Sequence, residues 1–350
     1  MKFLDKLNSR INSVEYRQLL NLESFTDFWS NDYLGLSAST LISKLNHGST
    51  GSRLISGHSN IHNEVEKLAA DFFNTEKSLL FNSGVDANVG VLSSLPQKGE
   101  TIIYDELCHA SIRDGIRLSM AKNFSFKHND VEHLEKKLKN TQNTVYVVVE
   151  SLYSMDGDLA PLKDLVEICK KYHAKLIVDE AHSAGVYGNG KGYVSELHLD
   201  EDVFIKSVTV GKAFGLHGAL VCCDHNVREF LINFCRTFIY TTAVSPAHCD
   251  YIKQRINEVD KGDDLRRNLF HNINYFNDLC GLSNPSPIFS FGFENLENCH
   301  QKAQELKQNG IATKEILSPT VPKGKERIRI CIHAFNTEKE LDILASLLWK

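Results

Sequence analysis

The chain has 350 residues, of which 42% are hydrophobic and 24% charged, and its formal net charge is −5 at pH 7. These values are typical of a globular protein of roughly two domains with room for a sizeable core. The negative charge and the lack of a basic tract favour neither nucleic acid nor an anionic membrane as a partner. The longest apolar runs, such as 145–149, are far shorter than the about 20 residues that span a bilayer.

Nine cysteines occur without any Cys-x-x-Cys spacing. This pattern favours free thiols in a reducing cytoplasm over a disulfide framework or a zinc site. The first residues lack the apolar segment of a secretory signal, so we predict a cytoplasmic protein. His58 and His62 are four residues apart but lack the glutamate of a zinc-binding helix motif, and we predict no metal site.

The N-terminal part predicts a short amphipathic helix and a linker over residues 1–29. A loop rich in glycine and serine follows at 48–57, and apolar residues between 61 and 72 then share one face of a helix. Residues 78–81 form a predicted strand, after which Ser83, Gly84 and Val85 lead into the next helix. The amides at a helix N-terminus form a general anion site, although an ordinary capped helix explains the same pattern.

Strands and helices alternate through the middle of the chain. Strands are predicted at 101–105, 144–150, 175–179, 202–208 and 218–223, with helices between the earlier ones. This alternation predicts an α/β fold with a mostly parallel central sheet flanked by helices. After Pro246 a connecting helix at 247–261 leads into a smaller α+β region that includes a strand at 325–332.

Asp179 and His182 follow the short apolar strand at 175–179. Ligands of open α/β sheets bind outside the carboxyl ends of the strands, and a carboxylate there is rarely buried without a partner. A protonated pyridine nitrogen is one such partner, and an aspartate holds it in pyridoxal phosphate (PLP) enzymes. A helix-capping aspartate and a packed histidine are the structural alternatives.

Lys212 lies in the glycine-flanked segment 209–215, between two predicted core strands. Desolvation favours the neutral amine, which is the nucleophile that Schiff-base chemistry needs. A structural, ion-paired lysine explains this segment equally well when it is taken alone. Asp-x-x-His followed after one strand by Thr-x-x-Lys is a far more specific pattern.

These motifs resemble those of the α-oxoamine synthases, a family within the fold-type-I PLP enzymes. The resemblance extends from residues 30–36 (Ser-Asn-Asp-Tyr-Leu-Gly-Leu) to residues 327–329 (Arg-Ile-Arg), and therefore covers most of the chain. It implies a fold-type-I PLP-dependent transferase with a smaller C-terminal α+β domain. We expect an N-terminal lead-in over 1–47, a large PLP-binding domain over 48–246, and the connecting helix and small domain over 247–350.

The resemblance also implies a role for each matching residue. Lys212, His109, Asp179 and His182 match the catalytic residues, with Lys212 holding PLP and accepting a proton, and His109 stacking on the pyridine ring. The remaining residues matched to the cofactor are Ser83, Gly84, Val85, Ser154, Thr209 and Thr242. Arg329, Asn31 and Arg17 are the predicted substrate-binding residues, and Arg329 is matched to the carboxylate of the amino acid because its planar fork binds a carboxylate bidentately.

The same resemblance implies a reaction and an assembly. We expect a decarboxylative condensation of a small amino acid with an acyl thioester of coenzyme A or an acyl carrier protein. L-Alanine with a pimeloyl thioester, as in biotin biosynthesis, is favoured by Gly218-Ala219 after the lysine. Glycine with acetyl or succinyl thioesters, serine with a long acyl chain, and a non-catalytic scaffold remain alternatives. Thr242 is expected to reach the phosphate of a second subunit, which implies a homodimer with shared active sites.

Overall fold

The computed structural model describes residues 2–11, 13, 16–17, 19–318 and 320–348. The helices are, in chain order, α1 Lys2–Ile11, α2 Asn60–Phe72, α3 Gly84–Ser94, α4 Ala110–Leu118, α5 Val131–Lys139, α6 Leu162–Lys171, α7 Tyr193–Glu196, α8 His225–Phe234, α9 Arg236–Ile239, α10 Pro246–Asp260, α11 Asp263–Cys280, α12 Leu296–Gln308 and α13 Glu338–Leu348. The strands are β1 Thr26–Asp27, β2 Lys77–Phe81, β3 Thr101–Asp105, β4 Lys122–Phe126, β5 Val145–Glu150, β6 Lys175–Asp179, β7 Ile205–Thr209, β8 Ala219–Cys223, β9 Ile288–Gly292, β10 Ile311–Ala312, β11 Lys314–Ile316 and β12 Arg327–Cys331.

The described chain divides into two compact units. The larger contains 31–154 and 158–268, and the smaller contains 1–30, 155–157 and 269–350. This division differs from the boundaries predicted after residues 47 and 246. Helix α10 belongs to the larger unit because its apolar face packs on α2 and its buried Arg255 donates from Nη1 to Ser39 Oγ at 2.8 Å.

A seven-stranded sheet organises the larger unit, in the order β2-β8-β7-β6-β5-β3-β4. Strand β8 is antiparallel to both of its neighbours, and every other pairing in the sheet is parallel. The prediction of a mostly parallel sheet is therefore confirmed. The one reversed strand follows from the short connection between β7 and β8, because a parallel partner needs a long crossover.

Both faces of this sheet are buried, as strand β5 shows. Val145, Val147 and Val149 pack into one apolar cluster, together with Leu134 of α5 and other residues. Tyr146 and Val148 point to the opposite face and pack into a second cluster. Successive side chains of a strand alternate between faces, so a run of β-branched residues suits a strand that is covered on both sides.

The smaller unit has an antiparallel sheet in the order β11-β12-β9 and a parallel pair formed by β1 and β10. In this unit Phe276 of α11 meets Phe289 of β9 edge-to-face, with ring centroids 5.0 Å apart. Helix α12 packs on both β11 and β12. The unit is thus an α+β structure, and its central strand carries Arg329.

Two further observations concern the described residues. None of their helices combines the length and the apolar character needed to cross a membrane. All nine cysteines are free thiols, and all except Cys280 are buried.

Candidate active site

Asp179 ends strand β6 and is nearly buried, with 7% of its surface exposed. Its Oδ2 accepts a hydrogen bond from Asn88 Nδ2 at 2.7 Å, and its Oδ1 accepts one from the amide of Ala181 at 2.9 Å. Both donors are neutral. They hold the carboxylate in one orientation without cancelling its charge, which leaves it able to pair with a cationic ligand.

Asn88 of α3 is the centre of a hydrogen-bond network beneath Asp179. Its Oδ1 accepts from Ser207 Oγ at 2.9 Å, and its Nδ2 also donates to Ser111 Oγ at 3.1 Å. Three elements, α3, α4 and β7, therefore fix the amide that orients Asp179. A buried amide with all these partners is expensive to replace, because each lost bond leaves a buried polar group unsatisfied.

The same network reaches His109, the N-cap of α4. The imidazole Nδ1 lies 2.8 Å from Ser111 Oγ and accepts the amide hydrogen of Ser111 at 3.2 Å. Since Nδ1 accepts, the ring proton sits on Nε2 in the neutral form. Desolvation lowers the pKa of His109, the negative charge of Asp179 raises it, and the positive charge of Lys212 lowers it. The ring is thus kept neutral, as a stacking partner for a flat ligand requires.

Glu150 ends β5, directly opposite Asp179 in the sheet register, and 4% of its surface is exposed. Its Oε1 accepts the amide hydrogen of His109 at 2.6 Å. Burial and the charge of Asp179 raise the pKa of Glu150 to about 8, against the opposing effect of Lys212. Glu150 therefore anchors the backbone of His109 while adding little negative charge beside Asp179 at neutral pH.

His182 lies in the turn after β6 and is 5% exposed. Its Nδ1 is 2.7 Å from the hydroxyl of Tyr33, which is 3.2 Å from Asn31 Oδ1. The hydroxyl donates its one proton to Asn31 Oδ1, so in the contact with His182 it accepts from Nδ1–H. Asn31 reaches the site through Tyr33, a residue to which the sequence analysis gave no role.

The N-terminus of α3 is built as predicted. Ser83 caps the helix, with its Oγ accepting from the amide of Asp86 at 3.1 Å. A Cβ atom on Gly84 would lie 3.7 Å from the Cβ of Thr209, so the end of β7 adjoins this helix end. The first amides of a helix have no intrahelical acceptor, so they suit a phosphate, while the Thr209 hydroxyl beside them donates to the carbonyl of Gly218 at 3.2 Å. Val85, in the same turn, is 53% exposed.

Lys212 is half-buried in the turn that joins β7 to β8. Its carbonyl accepts the amide hydrogen of Gly215 at 2.8 Å. Gly215 has φ +61°, and a Cβ there would clash with the amide nitrogen of Ser37, so only glycine allows this tight turn against residues 36–37. The charge of Lys212 acts on both His109 and Glu150, which places the amine in the electrostatic environment of this strand edge.

Two more predicted cofactor residues, Ser154 and Thr242, lie outside the helices and strands. Ser154 is half-buried in the segment that follows β5. Thr242 is exposed, and its carbonyl accepts from Asn82 Nδ2 at 3.0 Å while Thr241 Oγ1 accepts from the same nitrogen at 2.9 Å. The segment of Thr242 thus lies beside the residue that precedes Ser83. Its contact with a second subunit stays a prediction.

The predicted substrate arginines belong to the smaller unit. Arg329 is 5% exposed in the middle of β12, paired in register with Ser290 of β9 and Lys314 of β11. Arg17 is exposed, and its Nη2 lies 3.5 Å from Thr320 Oγ1, a long contact that constrains it weakly. Their roles remain predictions.

Sequence reasoning missed four residues of the network: Asn88, Ser111, Glu150 and Ser207. Glu150 carried a usable signal, since it is a carboxylate at the end of an apolar strand, as is Asp179. The other three lie inside helices or a strand, and nothing in their spacing distinguishes them from ordinary packing residues. Only the folded chain brings their side chains together.

The assembled groups fit PLP. Asp179 could hold a protonated pyridine nitrogen, the α3 amides and Thr209 could hold a phosphate, and Lys212 could supply the amine. A metal ion has no comparable site, because no group of three His, Cys, Asp or Glu side chains in the described ranges is arranged to bind one. His62, raised above as one of a histidine pair, instead completes the capping box of α2 and contacts the carbonyl of Val244.

Comparisons with known proteins agree with this fit. The model of the family "Aminotransferase class I and II" matches residues 23–348. An 8-amino-7-oxononanoate synthase of Emericella nidulans is 37% identical, and the alignment covers 97% of this chain and 92% of that protein.

Solved structures give the same result. The 8-amino-7-oxononanoate synthase of Francisella tularensis superposes with a TM-score of 0.81 at 30% identity, covering 93% of this chain and 97% of that one. A serine palmitoyltransferase of S. paucimobilis with PLP bound superposes with a TM-score of 0.87 at 29% identity, covering 91% and 85%. The chain therefore belongs to the aminotransferase class I and II family, and within it is a fold-type-I, PLP-dependent α-oxoamine synthase.

Proposed function

We propose that this enzyme condenses L-alanine with a pimeloyl thioester to give 8-amino-7-oxononanoate, with release of the thiol and carbon dioxide, as a step of biotin biosynthesis. The observation that carries the proposal is the 37% identity to a relative of that name over 97% of the chain. The carrier thiol belongs to coenzyme A or to an acyl carrier protein. The free, mostly buried thiols support a reducing cytoplasm as the place of action.

The chemistry at the cofactor is assigned to Lys212, Asp179 and His182. Bound PLP supplies an electron sink that stabilises negative charge at Cα of the amino acid. The amine of Lys212 would hold PLP and would take up the Cα proton of the amino acid. The carboxylate of Asp179 would keep a proton on the pyridine nitrogen, and the imidazole of His182 would hydrogen-bond the phenolic oxygen of the cofactor.

The remaining residues position the ligands. The neutral ring of His109 stacks on the pyridine ring and orients the thioester carbonyl, while Ser154 lies near the phenolic oxygen. Ser83, Gly84, Val85 and Thr209 hold the phosphate, and Thr242 completes the phosphate site of a second subunit in a homodimer.

Substrate recognition is assigned to Arg329, Asn31 and Arg17. Arg329 pairs with the carboxylate of the amino acid, since a guanidinium forms two parallel hydrogen bonds to a carboxylate. Asn31, which accepts a hydrogen bond from Tyr33, contacts the substrate in this proposal. Arg17 binds the distal carboxylate of the pimeloyl chain.

The test is a substrate matrix with the purified protein. L-Alanine, glycine and L-serine are each combined with pimeloyl-, acetyl-, succinyl- and palmitoyl-coenzyme A, and thiol release and product mass are measured. We expect 8-amino-7-oxononanoate from L-alanine and pimeloyl-coenzyme A alone. A product from L-serine and palmitoyl-coenzyme A would favour the second candidate, a serine palmitoyltransferase, which the TM-score of 0.87 to that enzyme supports.

A second measurement separates the reaction from the cofactor. Titration of the PLP absorbance with each amino acid reports binding without an acyl substrate. A shift with L-alanine but no product with any thioester would contradict the proposed condensation. No PLP band at all would leave a non-catalytic scaffold as the better reading.

A further inference from the structure

His128 lies in the loop between β4 and α5, outside the residues assigned above. Its Nδ1 is 3.0 Å and 3.1 Å from the two carboxylate oxygens of Asp105, and its Nε2 is 2.7 Å from Oδ2 of Asp158. A neutral imidazole has one N–H and donates to one partner only. Donation to both carboxylates therefore requires the imidazolium.

The surroundings of His128 favour that charge. Its backbone amide donates to Glu106 Oε1 at 3.3 Å, and its ring meets the ring of Tyr153 edge-on at 4.4 Å. Burial by itself lowers the pKa of His128, but the hydrogen bonds and charges of Asp105 and Asp158 raise it to about 10.

Helix α5 adds a few more titratable groups beside this loop. Nδ1 of His133 accepts the amide hydrogen of Lys127 at 2.9 Å, and Asp130 caps the helix through the amide of His133 at 2.8 Å. These side chains are therefore engaged with backbone groups of the loop and helix.

Asp105 organises the segment that presents His109. Its Oδ1 accepts the amide hydrogen of Leu107 at 2.8 Å, and its carbonyl accepts that of Cys108 at 3.1 Å. Its Oδ2 accepts the amide of Asn129, next to His128, at 2.9 Å. The carboxylate therefore closes the turn that leads from β3 to His109.

Asp158 organises the segment that contains Ser154. Its carbonyl accepts the amide hydrogen of Tyr153 at 3.0 Å, and its Oδ2 accepts from Asn129 Nδ2 at 2.6 Å as well as from His128. Asp158 Oδ1 and Asn129 Oδ1 are buried without a partner among the described residues. The cluster is thus rich in acceptors, and a cation at its centre compensates them.

We propose that His128 is a positioning residue for the reaction: its doubly bonded ring ties the segment that presents His109 to the turn that presents Ser154. This inference rests on the proposed roles of His109 and Ser154 at the cofactor. A rigid ring bonded at both ends fixes the separation of the two segments. Without it, two carboxylates would face each other uncompensated.

The charge is tested first, in the wild-type protein without PLP. An NMR titration of the imidazole carbon-bound protons should show His128 protonated through pH 8. A midpoint near the ordinary value of 6.5 would overturn the proposal, because a neutral ring cannot bridge both carboxylates.

The positioning role is tested with His128→Gln, and His133→Gln serves as the matched control from the same region. Amide hydrogen exchange of residues 106–109, measured without PLP, should accelerate in His128→Gln and stay unchanged in the control. With PLP bound, we expect kcat to fall about 10- to 100-fold with little change in KM for the amino acid. Unchanged exchange or unchanged kcat in His128→Gln would overturn the inference.

A double-mutant cycle with His109→Ala separates this inference from the proposed function. If His128 acts through His109, His128→Gln should lower kcat in the wild-type background but have little further effect in His109→Ala. Equal losses in both backgrounds would overturn the positioning role alone. Wild-type activity of His109→Ala would instead overturn the role proposed for His109. Asp158→Asn, on the less buried side of the cluster, repeats the cycle if His128→Gln fails to fold.

Discussion

Two aspartates end parallel strands of one sheet, yet their surroundings differ in charge. Asp179 ends β6 and is held by two neutral donors, Asn88 Nδ2 and the amide of Ala181. Asp105 ends β3 and faces His128, which the structure holds as a cation. A carboxylate held by neutral donors keeps its charge for a ligand, whereas one paired with a cation of its own chain serves the backbone around it.

The largest effect is expected at Lys212, the residue proposed to bind PLP near Asp179. Lys212→Ala removes the amine proposed to hold PLP and take the Cα proton, so turnover should fall by at least about 10³-fold. The absorbance of the Schiff base should be lost as well. Lys191, which also lies between two glycines and bonds Asn74, is the control, and Lys191→Ala should retain activity. Appreciable steady-state turnover by Lys212→Ala would refute the assignment.

The second test removes the carboxylate charge at the end of β6 and, separately, at the end of β3. Asp179→Asn should lower kcat about 10²- to 10³-fold because the pyridine nitrogen loses its counter-charge. Asp105→Asn should cost about 1–3 kcal/mol of stability because it leaves His128 with one carboxylate, and it should lower kcat by no more than the about 10- to 100-fold expected of His128→Gln. Steady-state kinetics and chemical denaturation of both variants are compared. The distinction fails if the two variants lose activity and stability in the same proportion.

The third test keeps Asp179 and removes the Asn88 side chain that orients it. Asn88→Ala deletes the donor to Oδ2 and should lower kcat about 10-fold or more, since partners behind a catalytic group typically have such effects. Asn257→Ala on α10, where the side-chain amide donates to the carbonyl of Lys253 in the same helix, is the control. Equal kcat values for the two variants would show that Asp179 needs no support from α3.

The fourth test measures how the stability contributed by His128, the partner of Asp105, depends on pH. The folded-state pKa of His128 is about 10 and its ordinary value is 6.5. Its stabilising contribution is therefore complete below pH 6.5, declines as pH rises, and is lost above about pH 10. His128→Gln should lower Tm most at pH 6 and least at pH 10.5, relative to His133→Gln. A Tm difference that is constant with pH would exclude the imidazolium.

The smallest expected effect concerns Glu150, which lies between the two aspartates in the sheet order. Its folded-state pKa of about 8 exceeds its ordinary value of 4.5, so stability falls as pH rises from 4.5 to 8. Glu150→Gln stays neutral and still accepts the amide of His109. It should change stability by less than about 1 kcal/mol at pH 5 and become relatively more stable by pH 8. Melting curves at both values that show no such trend would contradict a protonated Glu150.

The sequence analysis located the ends of the site more readily than its interior. Asp179, His182 and Lys212 stand out because each is a polar residue at the end of an apolar strand or within three residues of it. The helix start at Ser83 and Gly84 is visible for the same reason, since small residues between a strand and a helix mark an anion site. The alternation of strands and helices also predicted a mostly parallel sheet flanked by helices.

Asn88, Ser111 and Ser207 illustrate what could not be predicted. Each is a polar residue within an apolar or helical stretch, and its importance depends on partners from other elements. Asn88 and Ser207, for example, are 119 residues apart and bond at 2.9 Å. The division of the chain after residue 268 could not be predicted either. It depends on α10 joining the larger unit through its packing on α2.

The sequence by itself determined the succession of strands and helices along the chain, the residue types at each strand end and the family. Those features depend on local periodicity and on side chains whose chemistry is visible one residue at a time. Only the tertiary structure decided which carboxylate is held by neutral amides and which by an imidazolium. Charge state depends on burial and on neighbours in space, and residues far apart in the chain become neighbours only when it folds.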